Sequence, residues 1–328
     1  MIFVSAEDTR AVFDWSSAID CVVAAYRAQI EDSSTPGRLL AIAEGRSMRC
    51  MPAITPDGRY MGTKHLVKAR GGQITFLIAL FDQDDGSLAF LIDAVHITAL
   101  RTAATTVAAL RLLHGPPALR LAVLGSSMEA RVHVEALQSQ FEISELSVFS
   151  PNPVNRAAFG ERCAAQLGIA VSVAESPQEA VAGASHVLTA ARSHGELPIL
   201  YADWLAPRAI VLSIGSTLPS QRELDISVIE RATTIVADEP QELARETGDM
   251  IEAARAGIAF APKLHSLQSL ARGELDDHLH PPPELLLFKS IGSGRQDIAV
   301  AELIAERCSG AGIGQPLPVA LVTKDDAQ

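Results

Sequence analysis

Two different rhythms of apolar and polar positions run along this chain. In the first stretch, Ile19, Val22, Val23 and Tyr26 recur at helical spacing and predict an amphipathic helix over Ala18–Ile30. Pro36-Gly37 breaks the chain, and strand-like runs follow at Met48–Ala53, Tyr60–Val67, Ile74–Phe81 and Leu88–Asp93. Asp84-Asp85-Gly86 between the last two reads as a hairpin turn. From Asp93 to Leu113 the spacing is helical again, with Ile97, Leu100, Ala104, Val107, Ala108 and Leu112 on one side. His114-Gly115-Pro116-Pro117 ends that helix and marks a domain boundary.

Beyond the boundary, short apolar strands alternate with helices. Strands are expected at Leu119–Leu124, Leu146–Phe149, Ala170–Ala174, His186–Ala190, Ala209–Ile214 and Thr234–Ala237. Helices are expected at Met128–Gln138, Arg156–Leu167 and Pro177–Ala182. This alternation predicts a parallel sheet with helices on both faces, and strands apolar throughout suit burial on both sides. A last helix, Asp297–Cys308, carries Ile298, Ala301, Ile304 and Ala305 at helical spacing and could return to the first domain. The expected fold is therefore α/β: a doubly wound parallel-sheet domain over 115–294, and a mixed α+β domain from 1–114 with about 295–328.

Composition narrows the chemistry. A chain of 328 residues, 48% hydrophobic and 20% charged, has room for two domains with real cores. Its net charge of −12 disfavours nucleic acid and anionic membranes as partners, so a small acidic substrate must be met by a few local cations. No run of 18 apolar residues is present, and the start, Met1-Ile-Phe-Val-Ser, lacks the features of a signal peptide. Cys21, Cys50, Cys163 and Cys308 are scattered without disulfide or metal spacing and read as buried thiols of a cytoplasmic protein.

Gly125-Ser126-Ser127-Met128-Glu129-Ala130 joins an apolar strand to a helix. Dinucleotide-binding turns read Gly-x-Gly-x-x-Gly/Ala at this place: the first Gly makes the turn, the second admits the pyrophosphate, and the third residue lets helix and strand pack. Gly125 and Ala130 fit the first and third places, while Ser127 stands in the second. A strand–helix turn with no ligand is the alternative. The next strand ends at Phe149-Ser150 without the acidic residue that binds the ribose 2′-hydroxyl of NAD. Arg156 follows and could meet a 2′-phosphate, which leans the choice to NADP(H) over NAD(H); a solvated helical arginine reads equally well. Ser150, Thr189, Ile214 and Gly215 complete the cofactor candidates.

Four cations stand out: Arg38 after the Pro36-Gly37 break, Arg49 and Lys64 in strands, and Arg101 within a very apolar helix. A cation among apolar neighbours is costly unless paired, so each reads either as a structural ion pair or as a grip on a substrate carboxylate. A lysine in such a place can also have a lowered pKa and move protons.

In order along the chain, several pieces resemble the ornithine cyclodeaminase/mu-crystallin family: Gly62-Thr63-Lys64, Phe81-Asp82 with Gly86, Asp93, and Thr98-Ala-Leu-Arg101-Thr102-Ala103-Ala104. The Gly125 turn, Ile214-Gly215-Ser216, Arg222-Glu223-Leu224-Asp225 and Leu287-Phe288-Lys289-Ser290-Ile291-Gly292 with Asp297 follow. The resemblance implies a homodimer whose subunit joins a Rossmann domain to a substrate domain built from both ends of the chain. It also implies hydride transfer between nicotinamide and the α-carbon of an amino or imino acid, as in ketimine and pyrroline-carboxylate reductases, amino-acid dehydrogenases and cyclodeaminases. By position, Arg38, Lys64 and Arg101 match the family's carboxylate-binding residues, with Lys64 also the candidate for proton transfer.

Two departures separate the chain from ornithine cyclodeaminase. Arg49 stands where that enzyme has a glutamate for the distal amine, which an arginine would repel. Thr217 stands where cyclodeaminase and alanine dehydrogenase members carry an aspartate, which the mu-crystallin branch also lacks. Arg49 and Thr217 are thus substrate-side candidates that favour an imine reductase, with a cyclodeaminase-type lyase or a binding protein without turnover as the rivals.

The remaining signals read as structure. Asp225 suits a helix N-cap. His278 and His280 beside Asp276 and Asp277 precede three prolines, and no metal is expected there. The acidic run Glu239–Glu246 reads as a solvated surface.

Overall fold

The computed structural model describes residues 1–56, 58–113, 118–191, 197–318 and 321. The chain divides into two compact units, Met1–Thr105 with Ser293–Gln328, and Thr106–Gly292. The division falls inside one helix, and the boundary expected at His114–Pro117 lies outside the described residues.

The chain opens with strand β1 (Ile2–Val4) and helices α1 (Ala6–Val12) and α2 (Trp15–Arg27). Helix α2 starts earlier than its apolar spacing suggests because Asp14 caps it, accepting from the Ser17 amide. Strands β2 (Leu39–Ala43), β3 (Arg46–Ile54), β4 (Tyr60–Lys68), β5 (Ile74–Asp82) and β6 (Leu88–Asp93) follow, then helix α3 (Val95–Leu112). The expected hairpin at Asp84–Gly86 is present, with Gly86 at φ 70°.

The second unit runs β7 (Ala118–Leu124), α4 (Met128–Gln138), β8 (Glu142–Phe149), α5 (Pro153–Leu167), β9 (Val171–Val173), α6 (Pro177–Val181), β10 (His186–Thr189) and β11 (Ile210–Ser213). It continues with α7 (Ile226–Arg231), β12 (Thr234–Ala237), α8 (Pro240–Glu246), α9 (Gly248–Arg255), β13 (Leu264–Ser266), α10 (Leu267–Ala271), α11 (Asp276–Leu279) and β14 (Leu286–Lys289). Helix α12 (Gly294–Ala311) and strand β15 (Gln315–Pro316) rejoin the first unit.

The first unit holds a mixed sheet in the order β15-β1-β6-β5-β4-β3-β2, in which only the β1–β6 pair is parallel. On one face, Tyr60, Lys64, Met51, Ala53, Ile78 and Leu80 are buried, and α12 packs there. Glycines allow that approach: a Cβ on Gly294 would lie 2.6 Å from the Pro52 carbonyl, and one on Gly62 3.0 Å from Ile298. The opposite face leaves Leu39, Met48, Val67 and Leu77 exposed.

The second unit is a wholly parallel eight-stranded sheet in the order β13-β12-β14-β11-β10-β7-β8-β9. The order reverses at β7, the arrangement of a doubly wound Rossmann sheet. Along β7 both alternating sets, Leu121 with Val123 and Ala122 with Leu124, are buried, so both faces are covered. Ala122, Leu124, Val187, Val211, Leu287 and Ile235 share one core with α6, α7 and α9.

Several expectations need correction. Cys163 and Cys308 are buried as read, but Cys21 and Cys50 are half-buried; all four are free thiols. Glu239–Glu246 is not simply solvated: it holds helix α8, anchored by the fully buried Leu243. Asp225 caps α7 by accepting from the Ser227 amide, as its position suggested. Among the described residues, no helix is long and apolar enough to cross a membrane, and no group of three or more His, Cys, Asp or Glu residues is placed to hold a metal ion.

Candidate active site

Two of the four candidate cations, Lys64 and Arg101, converge on one acid. Lys64 projects from β4 onto the face covered by α12 and is only 1% exposed. Its Nζ donates to Asp297 Oδ1 at 2.7 Å, and Arg101 Nε lies 2.8 Å from the same oxygen. Asp297 is supplied by the first turn of α12, whose N-cap Ser293 accepts from the Arg295 amide. A carboxylate there is favoured by the helix dipole as well as by the two cations. Arg101 Nη1 donates to Gln296 Oε1 at 2.6 Å, and Gln296 Nε2 donates to the Tyr26 hydroxyl at 2.7 Å. Arg295 lies over the Tyr26 ring at 4.9 Å.

This environment changes the chemistry of Lys64. Burial first, then the Arg101 guanidinium, lowers its ammonium to about 7, against the opposite pull of Asp297; Arg49 lowers it further. A lysine in that range can donate and accept a proton near neutrality. Arg49, on β3 two residues from the strand partner of Lys64, therefore acts electrostatically on the same group. Arg38 is half-buried just before β2. Thr217 belongs to the second unit, where its amide donates to Gln221 Oε1 at 3.2 Å.

The candidate cofactor residues gather along the carboxyl edge of the parallel sheet. Gly125 has φ 135°, and a Cβ there would lie 2.5 Å from the Ala190 carbonyl, so only glycine fits the first place of the turn. Ser127 caps α4 by accepting from the Ala130 amide, and its hydroxyl turns to the Ala190 carbonyl at 3.4 Å. The serine in the second place thus keeps an ordinary backbone, and although the residue is exposed its hydroxyl is engaged by the Ala190 carbonyl and the Ala130 amide. Ser126 and Met128 are half-buried and exposed, Glu129 is half-buried, and Ala130 is fully buried between helix and sheet. Ser126 donates to the Ser150 hydroxyl at 2.9 Å, tying the ends of β7 and β8 together.

Arg156 is not a solvated helical arginine. It is buried, donates to the Ser150 carbonyl at 3.2 Å and to Glu175 at 2.7 Å, and lies 5.3 Å from the Phe149 ring. Glu175 itself is mostly exposed.

Two acids emerge that sequence reasoning left without a role. Asp297 is the shared anion of Lys64 and Arg101. Glu223 is fully buried and accepts from Thr189 Oγ1, Ser213 Oγ and the Ala191 and Gly215 amides, at the ends of β10 and β11. Burial pushes its carboxyl up to about 7, against the pull of Lys289. Both acids lay in the motif series, but nothing local to either names its partners.

The sequence model of the ornithine cyclodeaminase/mu-crystallin family matches residues 2–312. A ketimine reductase mu-crystallin of Mus musculus is 30% identical over 232 residues, covering 71% of this chain and 69% of that protein. A Delta(1)-pyrroline-2-carboxylate reductase of Bacillus cereus is 25% identical over 327 residues, 97% of this chain and 99% of that one. Among solved structures, Thermococcus litoralis Delta(1)-pyrroline-2-carboxylate reductase, in complex with NADH and L-proline, shares the fold. Its TM-score is 0.86 at 22% identity, covering 97% of this chain and 100% of that one.

Proposed function

The chain belongs to the ornithine cyclodeaminase/mu-crystallin family, and from that premise we propose that it is an NAD(P)H-dependent reductase. Its substrate would be the carbon–nitrogen double bond of a small α-imino acid of the ketimine or pyrroline-2-carboxylate type. The observation that carries this reading is Lys64: a buried ammonium held at about 7 beside Arg101 and Asp297.

The roles follow from that chemistry. Arg38, Arg49 and Arg101 supply positive charge for the substrate carboxylate, and for a second polar or acidic group near Arg49. Lys64 donates the proton that the substrate nitrogen takes up on reduction, and Asp297 keeps Lys64 protonated enough to do so. The absence of an acid at Thr217, and the positive charge at Arg49, disfavour cyclodeamination of ornithine.

The second unit fits a dinucleotide. The forced glycine at 125, the capped N-terminus of α4 and the small residue at 130 form the expected cradle, with Ser126, Ser127, Met128 and Glu129 along the pyrophosphate. Ser150 and Arg156 would flank the adenosine ribose, and Thr189, Ile214 and Gly215 the other half. No acidic residue stands at the end of β8 and Arg156 follows it, with only the exposed Glu175 to be displaced by a 2′-phosphate, so NADP(H) is the proposed nucleotide, with NAD(H) the alternative. When bound, the nicotinamide supplies the hydride for the α-carbon.

A homodimer is also proposed, through the open sheet face of the first unit. Strand β2 leaves Leu39 68% exposed on that face, and Met48, Val67 and Leu77 continue the apolar patch. A contiguous apolar face of this kind marks a protein–protein contact, and a second copy of the same face is its self-complementary partner.

The test is oxidation of NADPH and NADH with pyrroline-2-carboxylate and piperideine-2-carboxylate. Lys64→Met is expected to lower kcat by about 10²–10⁴ while the nucleotide Kd is unchanged. Nucleotide binding with no oxidation by the wild type overturns the reading for these substrates.

A further inference from the structure

We infer that Glu223 is the positioning residue for the nicotinamide half of the nucleotide site, an inference that rests on the dinucleotide reading above. A doubly wound sheet consists of two mononucleotide-binding halves that meet where the strand order reverses. Strands β7, β8 and β9, with the Gly125 turn, make the first half. Strands β10 and β11 begin the second, so the segments leaving them are the ones that face the nicotinamide mononucleotide.

Those two segments are set by a single carboxylate. Glu223 Oε2 accepts from Thr189 Oγ1 at 3.0 Å, Ser213 Oγ at 2.9 Å and the Gly215 amide at 2.7 Å; Oε1 accepts from the Ala191 amide at 2.9 Å. In a trans peptide the carbonyl points opposite to the following N–H. With the Ala191 and Gly215 amides turned in to Glu223, the carbonyls of Ala190 and Ile214 are turned away from it. For Ala190 the result is visible: its oxygen accepts from Ser127 of the phosphate turn at 3.4 Å and fills the space a Cβ on Gly125 would need. For Ile214 the same geometry presents a carbonyl acceptor at the ligand edge of β11, the chemistry that a carboxamide N–H requires. No side chain could be tolerated between these groups: a Cβ on Gly215 would lie 2.2 Å from Glu223 Oε1.

Glu223 is itself locked from behind. Asp249 Oδ1 accepts from the amides of Glu223 at 2.9 Å and Leu224 at 3.1 Å. Lys289 Nζ lies 2.7 Å from Asp249 Oδ2 and donates to Ser213 Oγ at 2.9 Å. These three ionisable groups are fully buried, and apolar residues of similar volume would serve stability at least as well. The array sits under the crevice that binds the ligand, and orientation of the loops is what it provides.

The experiment compares Glu223→Gln with wild type in calorimetric binding of NADH, NADPH and ADP, the last reporting the adenine half alone. Glutamine keeps the volume but turns an N–H donor onto the backbone and hydroxyl donors. The Kd for the reduced dinucleotide is expected to rise tenfold or more, as an unmatched buried donor implies, while the Kd for ADP stays within about twofold. Equal loss for ADP and dinucleotide, or no loss for either, overturns the inference. Wild-type protein that binds neither dinucleotide overturns the underlying reading instead. Should Glu223→Gln not fold, Ser213→Ala removes one hydroxyl donor with less disruption. It is expected to weaken dinucleotide about threefold with ADP unchanged, and an equal effect on both overturns the inference.

Discussion

Asp297→Asn keeps the shape of the side chain and removes the one anion that Lys64 and Arg101 share at 2.7 and 2.8 Å. Removing one partner of a buried ion pair typically destabilises by about 3–5 kcal/mol, because a charge is left uncompensated. Here one of the two cations has an escape, since Lys64 can shed its proton. Its ordinary value of 10.5 is already lowered to about 7, and Asp297 is the group that holds it up. Without Asp297 the folded-state value falls further, while the unfolded value stays near 10.5.

Between the two values the unfolded chain binds the extra proton, so stability rises with pH through that window. At pH 9 Lys64 is neutral in both folded proteins, and only Arg101 feels the loss. At pH 6 both cations do. The variant is therefore expected to lose more stability at pH 6 than at pH 9. At the acidic end the loss is about 3–5 kcal/mol, or about 10 °C in melting midpoint at about 2–4 °C per kcal/mol. Calorimetry at both pH values checks this. An equal loss at the two, or a larger one at pH 9, refutes the reasoning. In the reductive direction kcat/KM is expected to fall above about pH 7 in wild type as Lys64 loses its proton. In Asp297→Asn that midpoint moves down, and a move upward would also refute the assignment.

Gly125→Ala forces a Cβ to 2.5 Å from the Ala190 carbonyl at φ 135°. It is expected to lower stability by about 2–4 kcal/mol and to abolish detectable dinucleotide binding in calorimetry; full binding would show that the turn does not hold the pyrophosphate. Val67→Lys with Leu77→Lys puts charge on the open sheet face, and sedimentation equilibrium is expected to show the dimer dissociation constant raised about thirtyfold or more. An unchanged constant would place the interface elsewhere.

The sequence exposed the regular elements well and the long-range chemistry poorly. Leu88–Asp93, Met128–Gln138 and Thr234–Ala237 are located to the residue, because each is a clean run bounded by turn or cap residues. Strand β2 was missed because five consecutive small or apolar residues, all exposed, follow neither the period of a strand nor that of a helix. The helices between 226 and 279 are too short to show a helical period. Lys64 and Arg101 stood out because each is a cation among apolar neighbours. Asp297 did not, because its partners lie 233 and about 200 positions away and only tertiary packing brings them together. The ion pair of Arg156 is hidden for the same reason: its acid, Glu175, sits beyond the end of the next strand.

The dependence of Lys64 on α12 also has a consequence in time. A ribosome adding about 5–20 residues per second needs about 10–50 s to travel from Lys64 to Asp297, a separation of 233 positions. Through that interval the strands of the first unit can be made, but β4 carries a lysine whose buried counter-ion does not yet exist. The parallel-sheet unit, contiguous in sequence, is complete before its discontinuous neighbour can close. The reactive ammonium thus acquires its shifted acidity only when α12 docks, so the helix that completes the core arrives late, with only the edge strand β15 still to follow.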